Sequence, residues 1–264
     1  MSLTEKSALV TGSANRLGAQ IARTLHQNGA NLIIHYRRSA APALALANEL
    51  NQLRAESALA IAADLATDTG IDNLAEQACN AFGGLHILVN NASSFYPTRF
   101  GEIDRQAWDD LIASNYRAPL FLAQACYRSL RQNRGCIINM LDIYASRPLK
   151  HHSVYCSAKA ASRMLVESLA LELAPEVRVN GIAPGAILWP EKAGRDQVDT
   201  AQQQALLQQI PLQVLGGAQV IADTALFLAS NDYITGEVIR VDGGRLLNWG
   251  MLERSMLKEM HGHE

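Results

Sequence analysis

The sequence predicts an α/β fold in which helices cover both faces of a doubly wound parallel sheet. Short β-forming runs recur at 8–10, 31–35, 58–62, 87–89, 136–140 and 177–182, and stretches with helical periodicity separate them. Strands that alternate with helices pair in parallel, because each crossover helix returns the chain to the same edge of the sheet. Ligands of such sheets bind beyond the carboxyl ends of the strands, so functional residues are expected just after each strand.

Length and composition predict one domain. The chain has 264 residues and is 48% hydrophobic, which is enough to bury one large core. No linker rich in proline, glycine or serine interrupts the pattern, so residues 1–264 are expected to form a single domain. The tail at 245–264 places Leu252, Met256 and Met260 on one helical face, and whether it packs on a pocket or on a second subunit stays open.

Charge and cysteine usage limit the partners. A formal net charge of -2 and a pI near 6.4 predict no nucleic-acid or membrane-surface partner and favour a small molecule. The polar residues 1–6 precede a strand directly and no run is long enough to span a bilayer, so the protein is expected in the cytoplasm. The adjacent His151 and His152 point apart, which favours a solvated loop over a metal site. The cysteines lack metal-binding spacing and are expected as free thiols: Cys79, Cys126, Cys136 and Cys156.

A glycine-containing loop follows the first predicted strand. It reads Thr11-Gly12-Ser13-Ala14-Asn15-Arg16-Leu17-Gly18 and opens a predicted helix. Glycines at such a turn let a helix N-terminus approach a pyrophosphate, so Gly12, Leu17 and Gly18 are candidate dinucleotide-binding residues. After the third strand, Asp64 and Leu65 are candidates for the adenine edge, with a helix cap as the other interpretation of Asp64.

Cations stand at two positions of this predicted dinucleotide site. Arg16 lies in the first turn of the helix, where the macrodipole disfavours a positive charge. Tyr36-Arg37-Arg38-Ser39 ends the second strand, where an NAD enzyme has an acid for the ribose hydroxyls. A solvated loop would explain one arginine, but three at these two positions favour an additional phosphate. The sequence therefore predicts NADPH as the cofactor, with Arg16 and residues 36–39 among its contacts.

Tyr155 and Lys159 lie one helical turn apart in Tyr155-Cys156-Ser157-Ala158-Lys159. A free phenol has a pKa of about 10, and an adjacent ammonium favours its phenolate form. The spacing therefore predicts that the Tyr155 phenol exchanges protons near neutral pH. A single Tyr-x-x-x-Lys match also occurs by chance in many helices, so the assignment depends on the rest of the sequence.

The rest of the sequence supplies that context. Besides the loop at 11–18 and the Tyr155/Lys159 pair, it has Asn90-Asn91-Ala92, Asn115, Pro184-Gly185 and Val241-Asp242-Gly243-Gly244, in that order. Together these motifs resemble the short-chain dehydrogenases/reductases across roughly residues 6–246. The resemblance implies a Rossmann fold, hydride transfer from a nicotinamide, and a homotetramer assembled through the helices after Asp104 and around Tyr155.

The same resemblance implies roles for individual residues. Tyr155 would donate a proton, Lys159 would hold the nicotinamide ribose, and Asn115 would hold a water molecule in the proton relay. An ordinary helix-interior amide that bonds to a bulged backbone is the other interpretation of Asn115. Further cofactor contacts implied by the resemblance are Asn91, Ala92, Ser93, Pro184 and Gly185.

Within that family the sequence is similar to the pteridine reductases in Arg16, residues 35–39, residues 90–97 and Asp142. Most family members have a serine thirteen or so residues before the tyrosine, where its hydroxyl steadies a carbonyl oxygen. A carboxylate there would repel a developing alkoxide, and loss of one such donor costs about 10²–10³ in rate. Bonded to Tyr155, Asp142 can instead orient the phenol and help to protonate a ring nitrogen. The other interpretation of Asp142 is a loop cap, which Ser146 downstream leaves open.

The resemblance also predicts a substrate slot. Phe95 would cover one face of a flat heteroaromatic ring and the nicotinamide the other, with a gain of about 0.5–1.5 kcal/mol per ring pair beyond buried area. A core aromatic is the other interpretation of Phe95. Ser93 and Arg16 are further candidate substrate contacts, and so are Trp189 and Glu191 in a segment expected to cover the pocket.

The sequence thus predicts NADPH-dependent reduction of a dihydropterin or dihydrofolate to its tetrahydro form, with oxidised pterin or folate as further substrates. One alternative is a carbonyl or 3-oxoacyl reductase of the same family, for which Asp142 and Phe95 would be incidental. Another is an NADPH-binding regulatory protein without turnover, which the intact Tyr155, Lys159 and Asn115 disfavour.

Overall fold

One seven-stranded sheet organises the protein. The computed structural model describes residues 2–189 and 200–248. Its strands are β1 (Ser7–Val10), β2 (Asn31–Tyr36), β3 (Ala58–Ala62), β4 (Ile87–Asn90), β5 (Cys136–Met140), β6 (Arg178–Pro184) and β7 (Val238–Val241). They lie in the order β3-β2-β1-β4-β5-β6-β7, and each neighbouring pair is parallel. The predicted α/β fold is confirmed, whereas β7, a four-residue edge strand, is absent from the predicted runs.

Helices connect the strands in chain order. They are α1 (Arg16–Gln27), α2 (Ala40–Leu53), α3 (Asp68–Asn80), α4 (Arg105–Ile112), α5 (Ala118–Gln132), α6 (Ser153–Leu173), α7 (Thr200–Gln208) and α8 (Gly217–Ser230). A π-helical turn, Ala113–Arg117, joins α4 to α5, and a 3-10 turn, Ile143–Ala145, follows β5. In residues 2–189 and 200–248, none of the helices is long and apolar enough to cross a bilayer.

The helices form two layers because side chains of a strand alternate between the two faces of a sheet. On one face, Val10 packs in a buried cluster with Leu25 of α1 and side chains of α2 and α8. On the other, Leu9 packs with Leu74 of α3 and Leu122 of α5. Each fully buried leucine contributes about 1.5–3 kcal/mol relative to an exposed one, so the two clusters hold the sheet between its helices.

The direction of chain travel reverses at the centre of the sheet. From β1 the chain moves outward through β2 and β3, then returns to the other side of β1 as β4 and continues through β5 to β7. Such a reversal leaves a crevice between the loops after β1 and β4. Helix starts nearby are fixed by side-chain caps: Thr67 accepts from the Gly70 N–H, and Asp104 from the Ala107 N–H at 2.7 Å.

Candidate active site

A cavity of about 400 Å³ opens at this crevice, beyond the carboxyl ends of β1 to β4. Most of the predicted dinucleotide contacts line it, although they come from four separate loops. They are Gly12, Arg16, Leu17, Gly18, Arg37, Asp64, Leu65, Asn91, Ala92 and Ser93. Tyr36 is the last residue of β2, and Arg38 and Ser39 follow it. These three predicted contacts do not line the cavity.

The glycine loop has the steric form that a dinucleotide requires. Gly12 has φ +62°, a conformation that side chains disfavour, and an added Cβ would lie 3.1 Å from the Ala92 Cα. A Cβ on Gly18 would lie 2.5 Å from the Gly12 carbonyl oxygen and 2.6 Å from Nδ2 of Asn91. Bare backbone is therefore obligatory at both positions, and the N-terminus of α1 is left facing the cavity. These residues fit the pyrophosphate of a dinucleotide.

Charged side chains form the outer rim of the cavity. Arg37 is exposed, and its Nη1 lies 3.9 Å from Oδ1 of Asp64. Arg16 reaches across to the segment after β6, where its Nη2 donates to the Trp189 carbonyl at 3.4 Å. The interpretation of Asp64 as a helix cap is wrong, because Thr67 caps α3 and Asp64 accepts from the Ala66 N–H at 3.0 Å.

The Asp142 and Tyr155 side chains meet beside this cavity. The Tyr155 hydroxyl donates to Oδ2 of Asp142 at 2.8 Å, which joins the N-terminal part of α6 to the loop after β5. The other carboxylate oxygen, Oδ1, accepts from the Tyr144 N–H at 2.9 Å and caps the 3-10 turn. Asp142 therefore both bonds to the phenol and caps the loop, while its part in protonation stays a prediction. Ser146 lies on the surface, where its hydroxyl accepts from Arg163 at 2.6 Å.

Lys159 lies beneath Tyr155 in the protein interior, with only 3% of its surface exposed. Its ammonium donates to the Met140 carbonyl at 2.8 Å and lies 5.7 Å from the centre of the Tyr155 ring. Burial lowers the pKa of Lys159 to about 8. At neutral pH the lysine is therefore still mainly an ammonium, but it loses its proton at a much lower pH than an exposed lysine does.

The pKa of Tyr155 is raised above its ordinary value, first by burial and then by the Asp142 carboxylate. Burial also raises the pKa of Asp142, against the hydrogen bonds from Tyr144 and Tyr155. In this arrangement the phenol holds its proton more tightly than an exposed tyrosine does, and the proton exchange by Tyr155 near neutral pH stays a prediction. Burial is the larger cause of the raised Tyr155 pKa, and orientation adds to it: the phenol faces a carboxylate, while the Lys159 ammonium donates to a backbone carbonyl.

Phe95 stands over Tyr155 at the surface. The two ring centroids are 4.8 Å apart with an interplanar angle of 74°, and 54% of the phenylalanine is exposed. The interpretation of Phe95 as a core aromatic is therefore wrong. His152 stacks on the same ring at 4.8 Å with an angle of 16°, so this histidine is part of the aromatic wall rather than of a solvated loop. Together they leave an open ring surface above the phenol.

Asn115 lies in the π-helical turn and is buried. Its Oδ1 accepts from the Ser93 hydroxyl at 2.7 Å, and its Nδ2 donates to the Ser94 and Leu111 carbonyls. Its own carbonyl accepts from the Ser162 hydroxyl, because Pro119 four residues later has no N–H to offer. The amide therefore ties the loop after β4 to the helices beneath the site.

The remaining predicted contacts lie at the end of β6 and in the segment that follows it. The Gly185 N–H donates to the Val241 carbonyl at 2.9 Å, and a Cβ on Gly185 would lie 2.6 Å from the Asp242 Cβ. Pro184 is buried and Trp189 is half-buried in the same stretch. Glu191 and the tail residues Leu252, Met256 and Met260 lie outside the described residues.

Several lining residues were not assigned from the sequence: Asn15, His35, Ala66, Ser94, Asp110, Ala113 and Ser114. His35 carried a signal, since it directly precedes the Tyr36 to Ser39 stretch. Asp110 and Ser114 carried none, because one turn of a surface helix resembles any other. All four cysteines are free thiols, as expected.

Comparisons with known proteins agree with this geometry. The sequence model of the family described as enoyl-(acyl carrier protein) reductase matches residues 12–245. Pteridine reductase 1 of Leishmania tarentolae is 37% identical over 279 aligned residues, which cover 90% of this chain and 95% of that protein. The 3-oxoacyl-(acyl-carrier-protein) reductases of Staphylococcus aureus and Staphylococcus epidermidis are each 34% identical over 243 residues, with 90% of this chain and 97% and 98% of those proteins covered.

The fold and the site define an oxidoreductase of the kind that works with a nicotinamide dinucleotide. The chain belongs to the short-chain dehydrogenase/reductase family. Its identities to a pteridine reductase and to 3-oxoacyl reductases are close to each other, so the substrate has to be argued from the site.

Proposed function

We propose that the protein is an NADPH-dependent pteridine reductase, which reduces a dihydropterin or dihydrofolate ring to its tetrahydro form and also accepts the oxidised rings. The 2.8 Å hydrogen bond from the Tyr155 hydroxyl to Asp142 carries this proposal. A carboxylate beside the phenol opposes the growth of negative charge on a carbonyl oxygen. A ring nitrogen accepts a proton without becoming an anion, so the same carboxylate does not oppose its reduction.

The side chains divide the proton chemistry between them. Bound NADPH would supply the hydride. The Tyr155 phenol keeps its proton at neutral pH because its pKa is raised, and it can release that proton to a basic ring nitrogen. The Asp142 carboxylate fixes the direction of the phenol, and its own raised pKa suits it to share the proton. Lys159 would hold the nicotinamide ribose, and Asn115 would anchor the relay.

The shape of the slot supports a flat substrate. Phe95 is half-exposed above Tyr155, and His152 backs it on one side. A pterin ring would stack against this aromatic wall, which contributes about 0.5–1.5 kcal/mol per ring pair beyond burial. An aliphatic ketone would gain little from it. Ser93, Arg16 and Trp189 remain candidate substrate contacts around the slot.

NADPH rather than NADH is part of the proposal because cations surround the adenosine end. Arg37 lines the cavity, Arg38 follows it, and both are exposed at the end of β2. Within residues 31–39 there is no Asp or Glu to bind the ribose hydroxyls. An additional phosphate would pair with these guanidinium groups in charge-assisted hydrogen bonds.

Reduction of a 3-oxoacyl or other carbonyl group is the second candidate, and the 34% identity to 3-oxoacyl reductases favours it. That reaction lacks its usual serine here, because Ser146 is exposed and bonded to Arg163. The third candidate, a regulatory protein without turnover, would have no need of the buried Lys159 or of the Asp142–Tyr155 pair.

One set of assays tests the proposal. The purified protein is given NADPH with dihydrobiopterin, dihydromonapterin, dihydrofolate, folic acid, acetoacetyl thioesters and simple ketones, and NADPH oxidation is followed. Turnover is expected for the pteridines, and Asp142→Ser should lower their kcat by about 10²–10³ because the phenol loses its orienting acid. Asp142→Asn is the matched variant, since its amide oxygen can still cap the 3-10 turn.

The outcomes separate the three candidates. Turnover confined to ketones or thioesters, retained or increased in Asp142→Ser, would overturn the pteridine assignment in favour of carbonyl reduction. Nucleotide binding without oxidation of NADPH by any substrate would support the regulatory candidate.

A homotetramer in the cytoplasm completes the proposal. The helices after Asp104 and around Tyr155 carry apolar side chains on their outer faces: Trp108 is 50% exposed, Phe121 42% and Met164 62%. Exposed apolar surface of this kind is buried when subunits associate. Light scattering is expected to give about four times the chain mass of 28.7 kDa, and a monomer mass would remove the assignment.

A further inference from the structure

His35 occupies a junction between three loops at the nucleotide end of the sheet. It belongs to β2, lines the cavity, and is only 2% exposed. The Gly12 N–H, after β1, donates to its Nδ1 at 2.9 Å. Its Nε2 lies 3.1 Å from the Ala63 carbonyl, after β3. One imidazole therefore connects the glycine loop to the loop that carries Asp64.

The two partners define the protonation state of the ring. A backbone N–H can only donate, so Nδ1 must present its lone pair to Gly12. A carbonyl can only accept, so Nε2 must carry the hydrogen that Ala63 receives. The neutral Nε2–H form satisfies both contacts, whereas an imidazolium would place two hydrogens against each other at Gly12. Burial acts in the same direction, because it lowers the pKa of His35.

The Gly12 amide is the point at which the glycine loop is fixed. Gly12 lies at φ +62°, and its carbonyl accepts from Nδ2 of Asn91 at 3.1 Å. The same carbonyl oxygen lies only 2.5 Å from the position that a Cβ on Gly18 would take. A shift of Gly12 would therefore move the first turn of α1, which faces the cavity.

We propose that His35 is a positioning residue for dinucleotide binding: its neutral ring holds Gly12 and Ala63 so that the glycine loop is shaped before the nucleotide arrives, and protonation of the ring releases the loop. The proposal rests on the nucleotide part of the proposed function and does not depend on the pteridine substrate. It makes nucleotide affinity, rather than the chemical step, sensitive to acid.

The charged groups around the ring have opposing effects. Asp64 follows Ala63 and favours the protonated ring. Arg37, from the end of β2, lies 3.9 Å from Asp64 and offsets it. Arg16 on the glycine loop and Arg38 beyond Arg37 add positive charge at the rim, which disfavours protonation. From the loop after β4, Asn91 and Ala92 contribute no titrating group.

The test compares NADP⁺ binding, measured by calorimetry without substrate between pH 7.5 and pH 5, for the wild type and His35 variants. NADP⁺ is the probe because NADPH decomposes in acid. His35→Leu removes both contacts and is expected to weaken binding about tenfold at pH 7.5, the effect of one lost hydrogen bond. His35→Asn keeps an acceptor for Gly12 and cannot titrate, so it should bind within about threefold of the wild type.

The pH profile separates positioning from a general structural role. The 2′-phosphate of the probe has a pKa of about 6, so affinity changes with pH in every variant. Below pH 6 the wild type should weaken more steeply than His35→Asn. His86→Asn, a half-buried histidine at the opposite edge of the sheet, should follow the wild type. The kcat at saturating cofactor should change less than twofold in His35→Asn.

Two results would overturn the role of His35: identical pH profiles for the wild type and His35→Asn, or unchanged affinity in a folded His35→Leu. Because His35→Asn is compared by profile, poor folding of the leucine variant leaves the test decisive. Failure of the wild type to bind NADP⁺ at any pH would instead overturn the proposed function itself.

Discussion

The loops after β1 to β3 and the loops after β4 to β6 share one edge of the sheet, but they achieve their geometry by different means. The nucleotide end is shaped mainly by backbone: Gly12 and Gly18 leave no room for side chains, the buried His35 ring bonds to that backbone, and the charged groups are exposed. The catalytic end is shaped by buried polar side chains, with Tyr155 4% and Lys159 3% exposed. Sterics define the first region and desolvation the second.

The contrast between the two ends indicates where substrate specificity can change. A steric cradle tolerates few substitutions, because any side chain at Gly12 or Gly18 would meet neighbouring atoms. A desolvated pair responds strongly to one charge, since a buried carboxylate alters the pKa of its neighbour. Under the proposed function, the single exchange of a hydroxyl for the Asp142 carboxylate would change which substrate the same scaffold suits. Substitutions at each end should show this contrast, and the larger effect is expected at the catalytic end.

Lys159→Met tests how much free energy the burial of the lysine at the catalytic end costs. Turnover should fall about 10²-fold, because the group that we propose to hold the ribose and complete the relay is lost. The free energy of unfolding at pH 7 should rise by about 2 kcal/mol. The lowered pKa of about 8 corresponds to about 3 kcal/mol of destabilisation, and the lost bond to the Met140 carbonyl offsets about 1. Urea unfolding of both proteins measures the difference.

The pH dependence of the stability difference between wild type and Lys159→Met shows the direction of the Lys159 pKa shift. The folded pKa of Lys159 lies below its ordinary 10.5, so between about pH 8 and pH 10.5 the unfolded chain binds more protons than the folded one. The destabilisation is complete below pH 8 and disappears as pH rises toward 10.5. The stability gap between wild type and Lys159→Met should therefore narrow across that window. A gap that is constant from pH 7 to pH 10 would contradict the assigned cost of burial.

Arg37→Ala with Arg38→Ala tests the exposed rim of the nucleotide end. The KM for NADPH should rise about tenfold through loss of charge-assisted bonds to its additional phosphate, with kcat and the KM for NADH nearly unchanged. Steady-state kinetics with both nucleotides measures the change. Arg128→Ala with Arg131→Ala, on α5 and away from the cavity, removes the same two charges and is the control for net charge. Equal changes for NADPH and NADH would remove the phosphate assignment.

The sequence could predict whatever depends on pattern and spacing. The alternation of strands and helices predicted the sheet. The spacing of the motifs predicted Gly12, Gly18 and Tyr155 as site residues. The raised Tyr155 pKa could not be predicted, because it depends on how deeply the fold buries the phenol and on how close it brings the Asp142 carboxylate. His35 and Asp110 escaped assignment since their roles come from loops that meet only in the fold. The edge strand β7 has only four residues, Val238–Val241, and is too short to stand out in the sequence.

The π-helical turn at Ala113–Arg117 places one extra residue within an otherwise continuous helix. Each residue turns an α-helix by about 100°, so the insertion gives α4 and α5 separate rotational phases. Asn115 can thus point to the Ser93 loop while Leu122 still packs against the sheet. The number of residues between 112 and 118 is therefore constrained by two partners at once, since deleting one residue would misdirect both side chains together.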